Sequence, residues 1–289
     1  MAVFVETVMK ARRLPPTVAR FHADLVQAEP SIGDVKANVA TVVDALRRTR
    51  SELVVFPELF LSGYAVRDHV HRVAEPLDGP ALTEIARACR DSGRWCVVGF
   101  PRRAEARGVV HNSAALVGPD GVAGAYDKVQ LPTFSVFEED LYFKEGNSLP
   151  VFDTPFGRIG LVICYDLFFP ECTKTLALRG ADILVCPSAS PTISQRYFET
   201  ILPARAIETT TWLLYTNLVG AQDQAMFWGG AQAWGPRGDR KARGPDHTPA
   251  TTTVEIDLDE VEEARRKRPA LRDTRPEVLR ELLEAGRGR

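Results

Sequence analysis

RIGLVICYDLFFPE, residues 158–171, is the stretch on which the reading of this chain turns. Ile159, Leu161, Val162 and Ile163 form a short apolar run rich in β-branched side chains, and Gly157 precedes it. That pattern predicts a buried strand and not half of an amphipathic helix. Cys164 sits where the strand is expected to end. Pro170 suits the first turn of a helix, because its missing N–H would be unpaired there anyway, and ECTKTLALRG then runs to Gly180, a natural stop. A second apolar run, Ile183 to Cys186, follows at once. Strand, tight turn with a thiol, helix and strand, in that order, set one sulfur beside the backbone N–H groups of a turn and near a helix N-terminus. Both features favour a thiolate and, later, an oxyanion.

Taken alone, Cys164 reads as a buried structural thiol. Two other stretches change that. Leu53, Val54, Val55 and Phe56 predict another core strand, which runs straight into Pro57-Glu58-Leu59. A carboxylate at the mouth of a core strand is costly unless it is paired or used. Tyr126-Asp127-Lys128-Val129-Gln130-Leu131-Pro132 puts a lysine just after the Gly118-Pro119-Asp120-Gly121 turn and the short strand that leaves it. Glu58, Lys128 and Cys164 thus each fall at the C-terminal end of a strand-like segment. A Glu58–Lys128 ion pair by itself would equally tie two strands together. With a thiol as the third member, the set reads as a nucleophile, a base and a fixed positive charge.

Through FPELFLSGY (56–64), YDKVQLP (126–132), CYDLFFPE (164–171), PSASP (187–191), RAIE (205–208) and WGGAQ (228–232), the sequence resembles the nitrilase superfamily of carbon–nitrogen hydrolases, in its amidase-like branch. The resemblance runs from about Phe21 to about Leu282. It implies a four-layer α-β-β-α sandwich with two mixed β-sheets, a thiol mechanism without cofactor or metal, and Glu58, Lys128 and Cys164 as the catalytic triad. The family often carries a second glutamate in a pattern like VFDE after the lysine. Val136-Phe137-Glu138-Glu139 lies in that register, with Glu139 the better match and Glu138 the fallback. The backbone N–H of Tyr165 is expected at the oxyanion, and Phe168, Phe134 and Ser188 beside the substrate. Cys164 is followed by Tyr165-Asp166, as in amidases, where nitrilases proper tend to carry Trp-Glu. Family members usually pair through helices near the nucleophile, so a homodimer or larger assembly is expected.

The chain has 289 residues, 45% hydrophobic, enough for a sizeable core. Residues 1–18 precede the familial pattern and read as an N-terminal extension, with 19–289 as a single domain. A net charge of −2 and a pI near 6.3 give no basic field for nucleic acid and no polybasic handle for membrane. Five cysteines without a C-x-x-C pair and five histidines without ligand spacing argue against a disulfide scaffold and a zinc site. No apolar stretch approaches the ~18 residues of a membrane span. The N-terminal MAVFVETVMKARR has its basic residues after its apolar part, the wrong order for a secretory signal. These features point to a cytoplasmic protein, and the resemblance implies that it acts on a small-molecule amide.

Along the chain, Phe21, Ala23, Leu25 and Gln27 alternate as an opening strand, and Asp34 is placed to cap a helix carrying Val39, Val42, Val43 and Leu46 on one face. Gly79-Pro80 opens a helix with Leu82, Ile85 and Cys89 on one stripe, followed by a strand from Trp95 to Phe100. His111-Asn112-Ser113 opens a hairpin, and LPTFSVFEEDLYF reads as an irregular loop over the site. Pro203 predicts a kink in the helix after PSASP. Two charged helices, Asp259 to Arg268 and Pro276 to Glu284, close the sequence.

Two other functions compete with amide hydrolysis by the triad. One is a Cys–His hydrolase with His111 as base; the other is a silent scaffold that keeps the sandwich. Within the family, hydrolysis of an N-carbamoyl amide or an ω-amide is the alternative. Phe168 offers ring surface and no charge, so neutral primary amides are expected over ω-amides of dicarboxylates, with weak or no nitrile hydrolysis. Phe134, Phe137, Tyr142 and Trp228 would then make an apolar pocket, and Arg196 and Arg205 are the cations within sequence reach of it.

Overall fold

A computed structural model describes residues 18–287, so the expected extension lies, apart from Val18, outside the described residues. The first half of the chain contains β1 (Arg20–Gln27), α1 (Val35–Arg48), β2 (Leu53–Val55), the single turn α2 (Val70–Val73), α3 (Pro80–Ser92), β3 (Trp95–Arg103), β4 (Val110–Gly118) and β5 (Gly121–Asp127). The second half opens with the single turn α4 (Glu139–Tyr142). It continues with β6 (Val151–Thr154), β7 (Gly157–Leu161), α5 (Pro170–Leu178), β8 (Ile183–Ser188), α6 (Gln195–Thr209) and β9 (Trp212–Asn217). A small hairpin, β10 (Val219–Gln222) and β11 (Ala225–Trp228), precedes β12 (Gln232–Trp234), β13 (Arg240–Arg243), β14 (Ala250–Asp257), α7 (Asp259–Lys267) and α8 (Pro276–Arg287).

Two six-stranded sheets result, in the orders β14-β1-β2-β3-β4-β5 and β13-β12-β9-β8-β7-β6. Each has parallel strands at its centre and antiparallel strands at its edges. Leu25 pairs with Val55 and Val55 with Val97 in the first sheet, and Leu161 pairs with Val185 and Val185 with Leu214 in the second. Alternation along β2 shows how the layers form. Leu53 and Val55 enter the core shared with Ile159, Leu161 and Ile183 of the other sheet, while Val54 enters a second core with α1 and α3. Leu176 of α5 and Leu202 of α6 close the far face of the second sheet. The order helices, sheet, sheet, helices is the expected α-β-β-α sandwich. Each fully buried aliphatic side chain in it contributes about 1.5–3 kcal/mol.

Local signals place the elements. Asp34 Oδ1 accepts from Ala37 N at 3.0 Å and caps α1. Pro80 and Pro170 begin α3 and α5, and α3 ends at Gly93 in the left-handed region. The strand before Cys164 is shorter than expected: β7 stops at Leu161, and Cys164 opens a 3-10 turn, Cys164–Phe168. The loop from Leu131 is not wholly irregular, since α4 forms within it. α6 runs through Pro203.

Candidate active site

Three strand ends converge. Glu58 lies just past β2, Lys128 directly follows β5, and Cys164 follows β7 from the opposite sheet. Glu58 Oε1 accepts from Lys128 Nζ at 2.6 Å and from Asn112 Nδ2 at 2.7 Å; its Oε2 accepts from Ala189 N at 2.7 Å. Lys128 Nζ also donates to Glu139 Oε1 at 2.7 Å. Glu139 is held in turn by the Tyr64 hydroxyl at 2.8 Å and by Asn112 Nδ2 at 3.2 Å. Glu58 and Lys128 are fully buried, and Glu139 and Cys164 are 3% and 4% exposed. Glu139 and not Glu138 is therefore the second carboxylate on the lysine.

With two carboxylates and one ammonium in a dry site, the charges set each other. Burial opposes the charge on Lys128, but Glu139 and Glu58 outweigh it and hold the amine protonated well above the ordinary lysine range. Burial, reinforced by Glu58, pushes Glu139 up to about 7 despite Lys128. Burial and then Glu58 raise the Cys164 thiol far above its usual value, against the pull of Lys128. The thiol is therefore held neutral, because burial and the nearby carboxylate outweigh the turn and the lysine, and it depends on a neighbouring base.

Asp166 fixes the turn that carries the sulfur. Its Oδ2 accepts from Ile163 N and from the Tyr126 hydroxyl, both at 2.8 Å, and its Oδ1 from Gln130 N at 3.0 Å. The same carboxylate thus ties the cysteine turn to the segment leaving Lys128. Cys164 has a φ of 46°, and Leu59, next to Glu58, one of 48°. A left-handed backbone at a residue with a side chain costs about 1–3 kcal/mol and persists only where its surroundings impose it.

The expected substrate-side residues are placed unevenly. Tyr165 and Phe134 meet at a centroid distance of 5.3 Å, and Tyr165 and Phe168 at 5.4 Å, forming an aromatic wall beside the cysteine turn. Phe137 packs edge-on to Tyr64 at 6.4 Å. Ser188 is fully buried: its carbonyl accepts from Glu58 N at 3.4 Å, and its hydroxyl lies 3.5 Å from Cys186 Sγ. PSASP thus holds Glu58 by both its backbone and its carboxylate. Trp228 is buried against Tyr215 and donates to Ser190 Oγ at 3.3 Å. Arg205 turns to Leu167 O at 2.6 Å and to Glu208 at 3.0 Å, and Arg196 is exposed on α6. Arg67, which sequence reasoning missed, lines a cavity together with Tyr64 and Glu139 and pairs with Asp223. His111 Nδ1 lies 2.6 Å from Lys144 O, a local contact at the strand entrance. Asn112 and Tyr64, also missed as site residues, stand within the quoted HNS and FPELFLSGY stretches.

A thiol, a carboxylate and an ammonium at three strand ends of an α-β-β-α sandwich, with a second carboxylate from α4, mark a carbon–nitrogen hydrolase of the amidase type. A model of the carbon-nitrogen hydrolase family matches residues 23–266, and the chain belongs to that family. It is 32% identical over 270 residues to an (R)-stereoselective amidase from Pseudomonas sp, covering 92% of this chain and 96% of that protein. It is 32% identical over 241 residues to a nitrilase from Pyrococcus abyssi, covering 81% and 88%. A solved variant of the amidase from Nesterenkonia sp. AN1 superposes with a TM-score of 0.78 at 27% identity, covering 90% of this chain and 95% of that one; it shows covalent addition of the acetamide moiety of fluoroacetamide at the active site cysteine. No helix among the described residues is long and apolar enough to cross a membrane.

Proposed function

We propose that this protein hydrolyses a primary amide to a carboxylic acid and ammonia through a thioester on Cys164. The observation that carries the reading is the buried hydrogen-bonded chain Glu58–Lys128–Glu139, formed where the cysteine turn meets the opposite sheet. The neutral thiol needs a base, and Glu58 is the carboxylate whose charge bears most strongly on it. Glu58 takes the thiol proton as sulfur attacks the carbonyl carbon. Lys128 and the backbone N–H of Tyr165 receive the oxyanion. Glu58 then gives its proton to the departing nitrogen, and ammonia leaves. Water, deprotonated by Glu58, opens the thioester, and the proton returns to sulfur. Glu139 keeps the lysine in place and charged.

Cys164→Ala is the test: ammonia release from small amides is expected to vanish with the fold intact, and turnover at the wild-type level would overturn the reading. A mass increment equal to the acyl group on the Cys164 peptide, trapped by acid quench, is the positive sign.

The neutral-amide preference rests on the aromatic wall of Phe134, Tyr165 and Phe168, which carries no charge. We place the protein in the cytoplasm, with all five cysteines as free, buried thiols. We also propose a homo-oligomer, a reading supported by exposed apolar side chains: Leu178 on α5, Tyr197 on α6, and Val278, Leu282 and Leu283 on α8. A purely monomeric mass by light scattering at micromolar concentration would refute assembly.

A further inference from the structure

Asn112 touches each of the charged residues Glu58, Lys128 and Glu139. Its Nδ2 donates to Glu58 Oε1 at 2.7 Å and to Glu139 Oε2 at 3.2 Å, and its backbone carbonyl accepts from Lys128 N at 2.8 Å. With a carboxylate at both contacts, that end of the amide must be the nitrogen. Asn112 is fully buried, and its Oδ1 has no partner among the described residues. A buried acceptor without a donor costs the fold, and it is tolerated where the other end of the amide is in demand.

The bonds also distinguish the two oxygens of Glu58. Oε1 accepts from Lys128 Nζ at 2.6 Å as well as from Asn112, and both donors belong to the first sheet, one on β4 and one directly after β5. Two donors fill the two lone-pair sites of that oxygen. Among the described residues, Oε2 accepts only from Ala189 N at 2.7 Å, just past β8 in the second sheet. That sheet also carries the Cys164 turn, after β7, the strand beside β8. The open acceptor site of Glu58 therefore lies on the oxygen turned to the nucleophile's sheet.

Building on the amidase reading above, we propose that Asn112 is a positioning residue that reserves Glu58 Oε2 for proton transfer. The S–H bond of Cys164 breaks as an O–H bond forms at Oε2, and sulfur bonds to the carbonyl carbon. The same proton then passes from Oε2 to the departing nitrogen as the C–N bond breaks. With Asn112 in place, Oε1 has no free site for that proton. Because the amide is shared with Glu139, it favours the charged form of both acids. The titratable groups around Glu58 are Lys128, Glu139, Tyr64, Cys164 and Cys186. Burial, reinforced by Glu58, pushes Glu139 up to about 7 despite Lys128, so the two acids titrate as neighbours and one shared donor acts on both.

Asn112→Leu, close in size and without the donor, is the test. Two pH profiles are read: kcat/KM for ammonia release from butanamide, and the rate of Cys164 alkylation by iodoacetamide. In both, the acid limb is expected to move up by about one pH unit, the weight of one hydrogen bond to a charged group. The sign follows from the lost donor, since without it the carboxylate pair holds its proton to higher pH. A drop in rate with the limbs in place would overturn the proposal, because lost packing scales the profiles without moving them. Thermal melts identify a variant that does not fold. Asn112→Asp, the closest in shape, then decides: it supplies a donor only while protonated, so both rates are expected to fall as pH rises, and a wild-type profile overturns the proposal. Loss of folding in Asn112→Asp as well overturns it too, by making Asn112 a residue of the fold alone. A wild type that is alkylated at Cys164 but releases no ammonia would count against the primary-amide reading, and the alkylation profiles would still judge Asn112.

Discussion

Gly99 lies against the loop that carries Glu58, so closely that a Cβ added there would stand 2.4 Å from Leu59 N and 2.7 Å from Glu58 Cα. The two backbones are also hydrogen-bonded, Gly99 N to Pro57 O at 3.2 Å and Leu61 N to Gly99 O at 3.1 Å. The neighbouring atoms are backbone and have little room to give. Gly99→Ala is therefore expected to displace Glu58, at a stability cost of about 1–3 kcal/mol. A shift of about 1 Å at a reacting group costs on the order of a hundredfold in rate. Ammonia-release kinetics beside a thermal melt would check this, and an undiminished kcat would show that the loop yields freely.

The general base is distinguished from its rival by a pair of variants. Glu58→Gln keeps shape and removes the proton acceptor, so kcat is expected to fall by roughly two orders of magnitude or more, whereas His111→Ala is expected to change little. The reverse outcome would establish the Cys–His alternative.

Lys128→Met leaves Glu58 and Glu139 facing one another without their shared cation. Breaking a buried pair in this way costs about 3–5 kcal/mol of stability. Loss of the oxyanion partner is expected to lower kcat on the order of a hundredfold beyond that. Steady-state kinetics on the folded fraction would decide, since an effect confined to KM would make the lysine a ground-state binder.

Folding raises the Glu139 carboxyl from 4.5 to about 7, with burial as the main cause. Between those values the folded chain keeps a proton that the unfolded chain has released. The contribution of Glu139 to stability is therefore full below pH 4.5, declines as pH rises toward 7, and is constant above. Glu139→Gln is expected to flatten that part of the curve. Urea unfolding of both proteins at several pH values across this window is the measurement, and parallel slopes would show that another group governs the dependence.

Much of this arrangement was legible in the sequence because it depends on local pattern. Leu53 to Phe56 reads as a core strand and Glu58 as its costly carboxylate without any knowledge of partners. Asp34 and Pro170 mark helix starts by chemistry that needs only their neighbours. The strands β6, β10, β12 and β13 gave no such signal: Val219–Gln222 contains Gly220, Gln232–Trp234 has three residues, and Arg240–Arg243 is almost wholly cationic. These form because a neighbouring strand offers a ladder, a cause outside their own residues. How far the Cys164 thiol is raised was hidden for the same reason. A turn and a helix start are visible around Cys164, but the depth of its burial and the approach of Glu58 are properties of the assembled sheets. Tyr64, Asn112 and Arg67 belong with these, since their partners Glu139, Glu58 and Asp223 lie far along the chain.

Glu58 and Lys128 leave one sheet and Cys164 leaves the other, with Glu58 also anchored to Ser188 and Ala189 at the end of β8. Turnover therefore reports how the two sheets are aligned, and not whether each is formed. Mild denaturant that lets one sheet slide on the other by an ångström is expected to silence ammonia release while the far-ultraviolet circular dichroism stays native. The midpoint of inactivation then becomes a measure of the sheet-to-sheet contact alone, separable from the melting of the strands themselves.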